Sequence, residues 1–399
     1  MKKVLYVTYR NIYPVTSGEK ITMMQNLQIL SKYFDVDCLM LSEKELDEQH
    51  IDYLKRFSKN VFHFNIGNIF VRSYFCLLAL FSGKPLQNGY FYSKKMNDFI
   101  QNNYVKYDFI FCVHMRTGQY VLNIKSIKKI IDCPDSITLN SLNEYKKSKG
   151  IRKLLFKIDY LNVKKFEKNN YMLFDLIYVI SKRDEHFLVS LNPKLTTKTR
   201  ILYNHARDLG YKEEYNIISK EPSICFMGKM SYGPNIIAIK FFVENIFPAI
   251  KAKYPNVIFN LYGGDVSPSI KKLSKMQGIK IHGFVDDISR EIQSNHFVVA
   301  PMISGSGTQN KILECMYLKK LVITTELGAD GLENLSGKEI IIAKNKEDFI
   351  DKCIFYLDTQ NTRKRTEIGE LARGYIINNY SKQKSEEQLL CPLMEVLKS

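Results

Sequence analysis

The sequence predicts two Rossmann-like α/β domains, each built around a parallel sheet. Short apolar runs rich in β-branched residues alternate with helical patterns along almost the whole chain. Several of these runs are continuously apolar, which is typical of strands buried on both faces of a parallel sheet. A length of 399 residues is enough for two domains of ordinary size.

The strands predicted for the first half are 3–9, 36–41, 107–113, 128–132, 175–180 and 200–203. Those predicted for the second half are 223–228, 257–263, 279–283, 296–301, 321–325 and 339–343. Between the halves, residues 204–223 are polar and lack strand character, so they are predicted to be a linker. The predicted domains are therefore 1–203 and 204–383, with a C-terminal helix at 384–399 that packs back on the first domain.

The charge is strongly basic, with a formal net charge of +17. Much of the excess lies in residues 145–170, whose apolar residues recur at helical spacing, so this segment is predicted to be a basic amphipathic helix. Two interpretations are open: a surface helix with a solvated lysine face, or a face held against anionic lipid headgroups. The sequence lacks aromatic RNA-binding motifs, a helix-turn-helix signal and zinc-ligand spacing, so a nucleic-acid-binding protein is the weaker alternative.

The longest apolar stretch, 69–81, is interrupted by Arg72 and is shorter than the roughly 20 residues that a membrane-spanning helix needs. It is predicted to be either a helix buried in the core, which is the favoured interpretation, or an interfacial helix. The beginning of the sequence lacks the apolar region and cleavage site of a signal peptide, so the chain is expected in the cytoplasm. Its eight cysteines form no C-x-x-C pair and are expected to be reduced core thiols.

The stretch "APMISGSGTQNKILECM", residues 300–316, predicts an anion-binding turn between a strand and a helix. Glycines let the backbone approach a ligand closely, and free N–H groups at a helix start attract negative charge. Lys311 lies in the first helical turn, where a cation otherwise opposes the helix dipole, so a diphosphate partner is indicated. Glu314 can only accept hydrogen bonds when ionised, which suits ribose hydroxyls. The alternative is an ordinary turn followed by a surface pair of Lys311 and Glu314.

A similar turn follows the first predicted strand, where Thr16, Ser17 and Gly18 precede a helix. Two such turns, one in each domain, would face each other across a cleft and hold a charged ligand. The alternative for this turn is a simple N-cap.

With these motifs in place, the chain resembles the GT-B glycosyltransferases of the large retaining group called family 4, and most closely the bacterial exopolysaccharide and O-antigen sugar transferases. The resemblance spans nearly the whole chain, and its strength lies in the order and spacing of several short motifs. The motifs are "SGEK", "GKPLQNGYFYSKKM", "YDFIFCVHMRTGQYV", "FMGKMSYGPN", "HGFVDDI", "APMISGSGTQNKILECM" and "VITTELGADGL".

The resemblance implies a nucleotide-sugar donor held mainly by the second domain. The implied donor-binding residues are Gly18, Lys229, Val285, Gly305, Ser306, Gly307, Thr308, Lys311 and Glu314. His114 would lie beside the reacting sugar and Arg116 would meet an acceptor phosphate, so these two are the implied catalytic residues. A core histidine and a surface arginine are the alternatives.

The sequence departs from the family at two positions. Many members carry two glutamates eight positions apart, and Ser306 stands at the first of them. A second cation on the diphosphate is expected near Asn235, and Lys311 is the candidate to replace it. No aspartate or glutamate nucleophile is evident.

The predicted function is transfer of a sugar from a UDP-, GDP- or dTDP-sugar to a hydroxyl with retention, in bacterial surface polysaccharide biosynthesis. The acceptor is expected to be a saccharide or an undecaprenyl-diphosphate-linked saccharide, at the inner face of the cytoplasmic membrane. No metal or other cofactor and no nucleic acid is expected. A GT-B nucleotide-sugar epimerase is the other enzyme alternative.

Overall fold

A computed structural model describes residues 1–398 except Thr16, Lys44, Asp135, Ile217 and Ser306. The chain forms two compact units. The first holds residues 1–203 and the chain from Glu386 onward, and the second holds Asn204–Ser385.

The first unit contains a parallel sheet with the strand order β3-β2-β1-β4-β5-β6-β7. Its strands are β1 (Lys3–Thr8), β2 (Asp35–Ser42), β3 (Asn60–Asn65), β4 (Phe109–Val113), β5 (Lys128–Cys133), β6 (Leu176–Val179) and β7 (Thr199–Ile201). Its helices are α1 (Gly18–Tyr33), α2 (Glu48–Lys55), α3 (Ile69–Phe81), α4 (Leu86–Tyr90), α5 (Lys94–Asn103), α6 (His114–Gly118), α7 (Ile137–Lys147), α8 (Gly150–Asn170) and α9 (Lys182–Leu191).

The second unit contains a parallel sheet with the order β10-β9-β8-β11-β12-β13. Its strands are β8 (Ser223–Met227), β9 (Ile258–Tyr262), β10 (Ile279–Gly283), β11 (Phe297–Ala300), β12 (Val322–Thr325) and β13 (Ile341–Ala343). Its helices are α10 (Gly233–Asn245), α11 (Phe247–Lys253), α12 (Pro268–Lys271), α13 (Ile288–Gln293), α14 (Asn310–Tyr317), α15 (Glu326–Ala329), α16 (Lys346–Leu357) and α17 (Thr362–Asn379). The last helix of the chain is α18 (Lys382–Lys398).

Both faces of the first sheet are buried, which explains its continuous apolar strands. On β1, Leu5 and Val7 join one core cluster while Val4 and Tyr6 join the other. The second cluster also contains Leu389 and Leu393 of α18, so residues near the end of the chain complete the core of the first unit. Successive residues of a strand point to opposite faces of the sheet, so the two clusters lie on opposite faces and each face is covered by helices.

Each sheet reverses its strand order at one place, and this switch point positions the candidate site. In the first unit β1 lies between β2 and β4, and in the second β8 lies between β9 and β11. In open parallel sheets, ligands bind outside the carboxyl ends of the strands at such a switch point. The predicted α/β class with two parallel sheets is confirmed, and the crevices to inspect lie after β1 and β4 and after β8 and β11.

Strand β3 was not predicted. Its sequence, NVFHFN, alternates aromatic and polar residues, and its side chains are partly buried or exposed at the edge of the sheet. Because an edge strand is not covered on all sides, it needs no continuous apolar run, which is the pattern that predicted the central strands.

The prediction that 69–81 forms a helix is right, but the favoured prediction that this helix is buried in the core is wrong. In the helix that it forms, α3, Ala79 is the one buried residue. Phe70 and Phe81 are 80% and 86% exposed. Apolar composition predicts burial only when another element covers the helix. Among the described residues, no helix is long and apolar enough to cross a membrane.

The predicted basic helix at 145–170 is divided. Helix α7 ends at Lys147, and α8 begins at Gly150, which adopts a φ of +57°. Glycine takes this left-handed conformation without strain, so the lysine-rich pattern continues across a turn between two helices.

Candidate active site

The turns that end β8, β9 and β10 in the second unit are bonded to one another. The N–H of Gly228 donates to Tyr262 O at 2.9 Å, and the N–H of Gly263 donates to Gly283 O at 2.7 Å. A Cβ at Gly263 would lie 2.0 Å from the carbonyl oxygen of Gly228. Glycine is therefore required at 263 by close backbone approach, and hydrogen bonds connect the three turns, of which the turn after β8 lies at the switch point.

The glycine turn after β11 has the backbone conformation that its sequence requires. Gly305 and Gly307 adopt φ values of +114° and +71°, which L side chains rarely adopt. Thr308 is buried, and its hydroxyl donates to Gly331 O at 3.2 Å. Helix α14 then begins at Asn310, so its first N–H groups lie next to the turn. Ser306, which the resemblance places in this site, lies outside the described residues.

Three side chains surround the ammonium of Lys311 next to this turn. Its ammonium donates to Oδ1 of Asn235, lies 4.8 Å from the Phe226 ring centre, and approaches Met302 Sδ at 3.5 Å. Burial lowers the pKa of Lys311 to about 7, although the charges of Cys315 and Glu314 act in the opposite direction. A lysine held in this way gains its proton fully only when an anion compensates the desolvation.

Lys229 follows Gly228 directly and remains partly exposed. Its ammonium forms an ion pair with Asp265 at 2.9 Å, and its carbonyl oxygen accepts from Nδ2 of Asn235 at 2.9 Å. Asn235 is therefore bonded through its two side-chain ends to the Lys229 backbone and to the Lys311 ammonium. The resemblance implied a second cation at or near position 235, where this chain has an amide that accepts from the Lys311 ammonium.

Glu314 is buried, with only 3% of its surface exposed, and its carboxylate accepts from Nε of Arg207. The surface pair of Lys311 and Glu314 that the spacing also allowed does not form, because each of these residues has another partner. Arg207 lies in the segment predicted to be a linker, 107 residues away in sequence, and was missed. A carboxylate offers about four acceptor positions, so one arginine N–H leaves capacity for ribose hydroxyls.

The segment after β10 carries an exposed aromatic side chain. Gly283 adopts a φ of +70°, Val285 is partly buried, and Phe284 between them is 80% exposed. His282 stacks on Tyr262 with ring centres 4.7 Å apart. Sequence reasoning considered only the backbone of this segment, and the exposure of Phe284 adds a surface on which a flat base could stack.

The switch point of the first unit brings His114 and Arg116 together with two residues that were not predicted. Arg10 and Arg116 both lie against the ring of Tyr9, at 4.9 Å and 4.4 Å from its centre. The ring of His114 lies 5.3 Å from that of Tyr9. Arg116 Nε also donates to Gln87 Oε1 at 2.8 Å, so its guanidinium is fixed in orientation.

His114 is buried and held in an uncommon conformation. It adopts a φ of +70°, and its Nδ1 accepts from the N–H of Arg116 at 3.3 Å, so the neutral ring carries its proton on Nε2. Burial, followed by the charges of Arg116 and Arg10, holds the pKa of His114 well below its usual range. At neutral pH this side chain is therefore a hydrogen-bond donor without charge. Strained residues of this kind concentrate at functional sites.

Gly18 is the first residue of α1 and is exposed. The following residue, Glu19, pairs with Arg10 at 2.9 Å, which ties the helix start to the group around Tyr9. Thr16 lies outside the described residues. Among those described, no group of three or more His, Cys, Asp or Glu side chains is arranged to hold a metal ion.

Comparison with known proteins finds a matching family model and a sequence relative. Residues 221–359 match the family model of glycosyl transferases group 1. A Klebsiella pneumoniae protein described as an uncharacterized 44.6 kDa protein in the cps region is 24% identical over 96% of this chain and 98% of its own length.

Solved structures share the whole fold. The Anabaena protein HepE, in complex with UDP and glucose, superposes with a TM-score of 0.68 at 13% identity, covering 99% of this chain and 100% of its own. WaaG, a glycosyltransferase involved in lipopolysaccharide biosynthesis, superposes with a TM-score of 0.66 at 11% identity, covering 97% of this chain and 100% of its own.

The fold is therefore that of the GT-B class, with a Rossmann-like sheet in each unit. The protein is an enzyme, a glycosyltransferase, whose residues 221–359 match the group 1 model. The predicted enzyme class is confirmed.

Proposed function

We propose that the protein transfers a sugar from a nucleotide-diphosphate sugar to a hydroxyl of a saccharide or lipid-linked saccharide, with retention, in the synthesis of a bacterial surface polysaccharide. The observation that carries the proposal is the arrangement of Lys229, Lys311, Gly305 and Gly307 around the switch point of the second unit. The capsule-region relative and WaaG support the polysaccharide context.

The second unit would bind the donor. Glu314 would accept from the ribose hydroxyls while it keeps its bond to Arg207, and the backbone of 283–285 would meet the base, on which Phe284 would also stack. Gly305, Ser306, Gly307 and Thr308 would hold the diphosphate through their N–H groups, and Gly18 of the first unit would contact the phosphates. UDP is the first nucleotide to test, because HepE was solved with it.

Catalysis would consist of stabilising the leaving group. The bond between the anomeric carbon and the diphosphate oxygen breaks, a new bond forms to the acceptor oxygen, and the acceptor proton leaves with the diphosphate. Negative charge on the diphosphate grows as the first bond breaks, so fixed N–H groups and the two lysine ammoniums stabilise the transition state more than the ground state. In this scheme these cations serve without a metal ion or other cofactor.

The first unit would hold the acceptor and the transferred sugar. His114 would donate from Nε2 to a hydroxyl of that sugar, and Arg116 would bind a phosphate of the acceptor. An undecaprenyl-diphosphate-linked acceptor would place the reaction at the inner face of the cytoplasmic membrane.

The experiment is a transfer assay with UDP-, GDP- and dTDP-sugars and a lipid extract from a capsule-forming bacterium. We expect one nucleotide class to support sugar incorporation and nucleotide release that depend on the acceptor. The proposal fails if none of the three nucleotides binds, or if the sugar is altered without any acceptor, as an epimerase would do. Proton NMR of the product distinguishes retention from inversion.

A further inference from the structure

Helix α3 exposes an apolar face where a surface helix normally exposes a polar one. Phe70, Tyr74, Leu77 and Phe81 follow one another at helical spacing and are all exposed. The one charged residue of the helix, Arg72, lies on the opposite face, where it donates to Tyr90 Oη at 2.7 Å. The usual polarity of a surface helix is therefore inverted.

Helix α8 shows a second apolar face, and this one is surrounded by lysines. Ile151, Leu154, Leu155 and Leu161 are exposed along it, with Ile151 at 80%. Its exposed basic residues are Arg152, Lys153, Lys157, Lys164, Lys165 and Lys168. Its two acidic residues, Asp159 and Glu167, are both buried. Every charge that this helix presents to solvent is therefore positive.

Two hydrogen bonds join the segment that follows α3 to helix α8. The N–H of Leu86 donates to Asp159 Oδ1 at 2.7 Å, and Asn162 Nδ2 donates to Lys84 O at 3.2 Å. The turn that follows α3 is thus fixed to the middle of α8, and the buried Asp159 carboxylate has a structural role. The exposed side chains of α3 and α8 together are called the apolar-basic surface below.

We infer that the apolar-basic surface binds the face of an anionic lipid bilayer. Exposed apolar side chains of this number mark an interaction site, since soluble surfaces rarely show contiguous patches of them. Proteins bind membranes that carry anionic lipids by inserting apolar side chains and by attracting the lipid headgroups with lysines. A second copy of the chain is a poorer partner, because a symmetric contact would bring the lysines of one α8 toward those of the other.

This inference extends the proposed function, because it names the surface of the first unit that would bring the enzyme to a lipid-linked acceptor. It is tested with lipid alone, without donor or acceptor. Its failure is therefore distinguishable from failure of the proposed sugar transfer.

The first experiment uses the absence of tryptophan from the sequence. The variant Phe81→Trp introduces a single indole at a fully exposed place on α3. We expect its emission to shift to shorter wavelength when vesicles containing phosphatidylglycerol are added, and brominated lipids to quench it. The control is Leu371→Trp, on an exposed face of α17 in the second unit, which should show neither change.

The second experiment measures sedimentation of the full chain with vesicles of phosphatidylglycerol and phosphatidylcholine at physiological salt. We expect the double variant Phe70→Ser/Phe81→Ser to bind at least about tenfold more weakly. Lys157→Glu/Lys164→Glu should weaken binding by at least about fivefold, since each lysine near an anionic surface contributes about that factor. The matched controls are Leu371→Ser/Ile377→Ser and Lys271→Glu/Lys272→Glu, at exposed positions of the second unit, which should bind like the wild type. Because the changed side chains are exposed, all variants should keep the wild-type melting temperature.

Four results would overturn the inference. The wild-type chain could stay in the supernatant with anionic vesicles. The Phe70→Ser/Phe81→Ser variant could sediment as the wild type does. The wild-type chain could bind pure phosphatidylcholine vesicles as strongly as anionic ones, and this result would show that the surface does not select anionic lipid. A dimer in solution that Phe70→Ser/Phe81→Ser abolishes, without any vesicle binding, would assign the surface to a second copy.

Discussion

The ammonium of Lys311 donates to the side-chain oxygen of Asn235, which lies 76 residues earlier in the chain. The contact joins the first turn of α14 to the first turn of α10, the two helices that follow the strands of the switch point. Asn235 in turn donates to the carbonyl oxygen of Lys229. One asparagine therefore contacts both the ammonium of Lys311 and the backbone of Lys229, whose own ammonium pairs with Asp265.

Substitution of either lysine should weaken binding of the diphosphate selectively. We expect Lys311→Met and Lys229→Met each to reduce UDP affinity by roughly tenfold or more, since charge-assisted hydrogen bonds are lost, while uridine binding changes little. Calorimetry with both ligands measures this. Lys253→Met, at an exposed position of α11, is the control. Equal losses for UDP and uridine would contradict a diphosphate role.

Binding of UDP should depend on pH through Lys311. Burial lowers the pKa of this lysine to about 7, from a value near 10.5 in the unfolded chain. Between these values the unfolded chain binds more protons, so the unfavourable contribution of Lys311 to stability is greatest below pH 7 and disappears as the pH rises toward 10.5. A bound diphosphate should raise the pKa of Lys311 again, because its negative charge favours the protonated lysine.

At pH 8, UDP binding should therefore take up protons, and its affinity should fall as the pH rises further. Calorimetry in two buffers of different ionisation enthalpy measures the uptake. Lys311→Met should lose it and Lys253→Met should keep it. Uptake that is unchanged in Lys311→Met would assign the proton to another group.

Removal of the Glu314 carboxylate should weaken nucleotide binding. We expect Glu314→Ala to cost about 1–3 kcal/mol of UDP binding free energy, because hydrogen bonds to a charged group are lost. Protein stability should change less, since the partner of Glu314, Arg207, keeps 43% of its side chain exposed and can be solvated. Glu244→Ala, at an exposed position of α10, is the matched control. Unaltered UDP affinity in Glu314→Ala would rule out the ribose contact.

His114 should affect transfer and not donor binding. Asparagine tolerates the left-handed conformation that His114 adopts, so His114→Asn should fold. We expect kcat to fall by at least about tenfold, because the amide of the shorter asparagine does not reach the position of the donating Nε2. The UDP dissociation constant should stay within about twofold. An unchanged kcat would leave His114 with a structural role.

The bonded turns that follow β8 and β9 allow a matched pair of glycine substitutions. Gly263→Ala would place a Cβ 2.0 Å from the Gly228 carbonyl oxygen, at a φ of +145°, whereas no atom lies within 4 Å of a Cβ at Gly264. We expect Gly263→Ala to lower the free energy of unfolding by about 2 kcal/mol or more, and Gly264→Ala to change it by about 0.5 kcal/mol or less. Urea denaturation measures both. Similar stability of the two variants would refute the close approach of the β8 and β9 turns.

The fold could be predicted from the sequence because its central strands are continuously apolar. Burial on both faces of a parallel sheet produces that pattern directly, as in β1, β4 and β8. Strand β3 lies at an edge and lacks the pattern. The burial of α3 was predicted wrongly because composition shows that a surface is apolar but not whether another element covers it.

The candidate site could be predicted only in part. Glycines, Lys311 and Glu314 occur within one short motif, so local spacing was enough to identify them. Arg207 and Tyr9 reach their partners through contacts between segments far apart in the sequence, which no local pattern encodes. The exposure of Phe284 likewise depends on what surrounds it in three dimensions.

The place of α18 in the core of the first unit has a consequence for biosynthesis. Leu389 and Leu393 fill the cluster that contains residues of β1 and β4, yet the ribosome adds them only after the whole second unit. Until they emerge, the apolar face that they cover remains open on a nascent domain whose sheet is already complete in sequence. We expect the first unit to reach its native state only after the second unit has been synthesised, and chaperones that recognise apolar surface to bind the first unit during that interval.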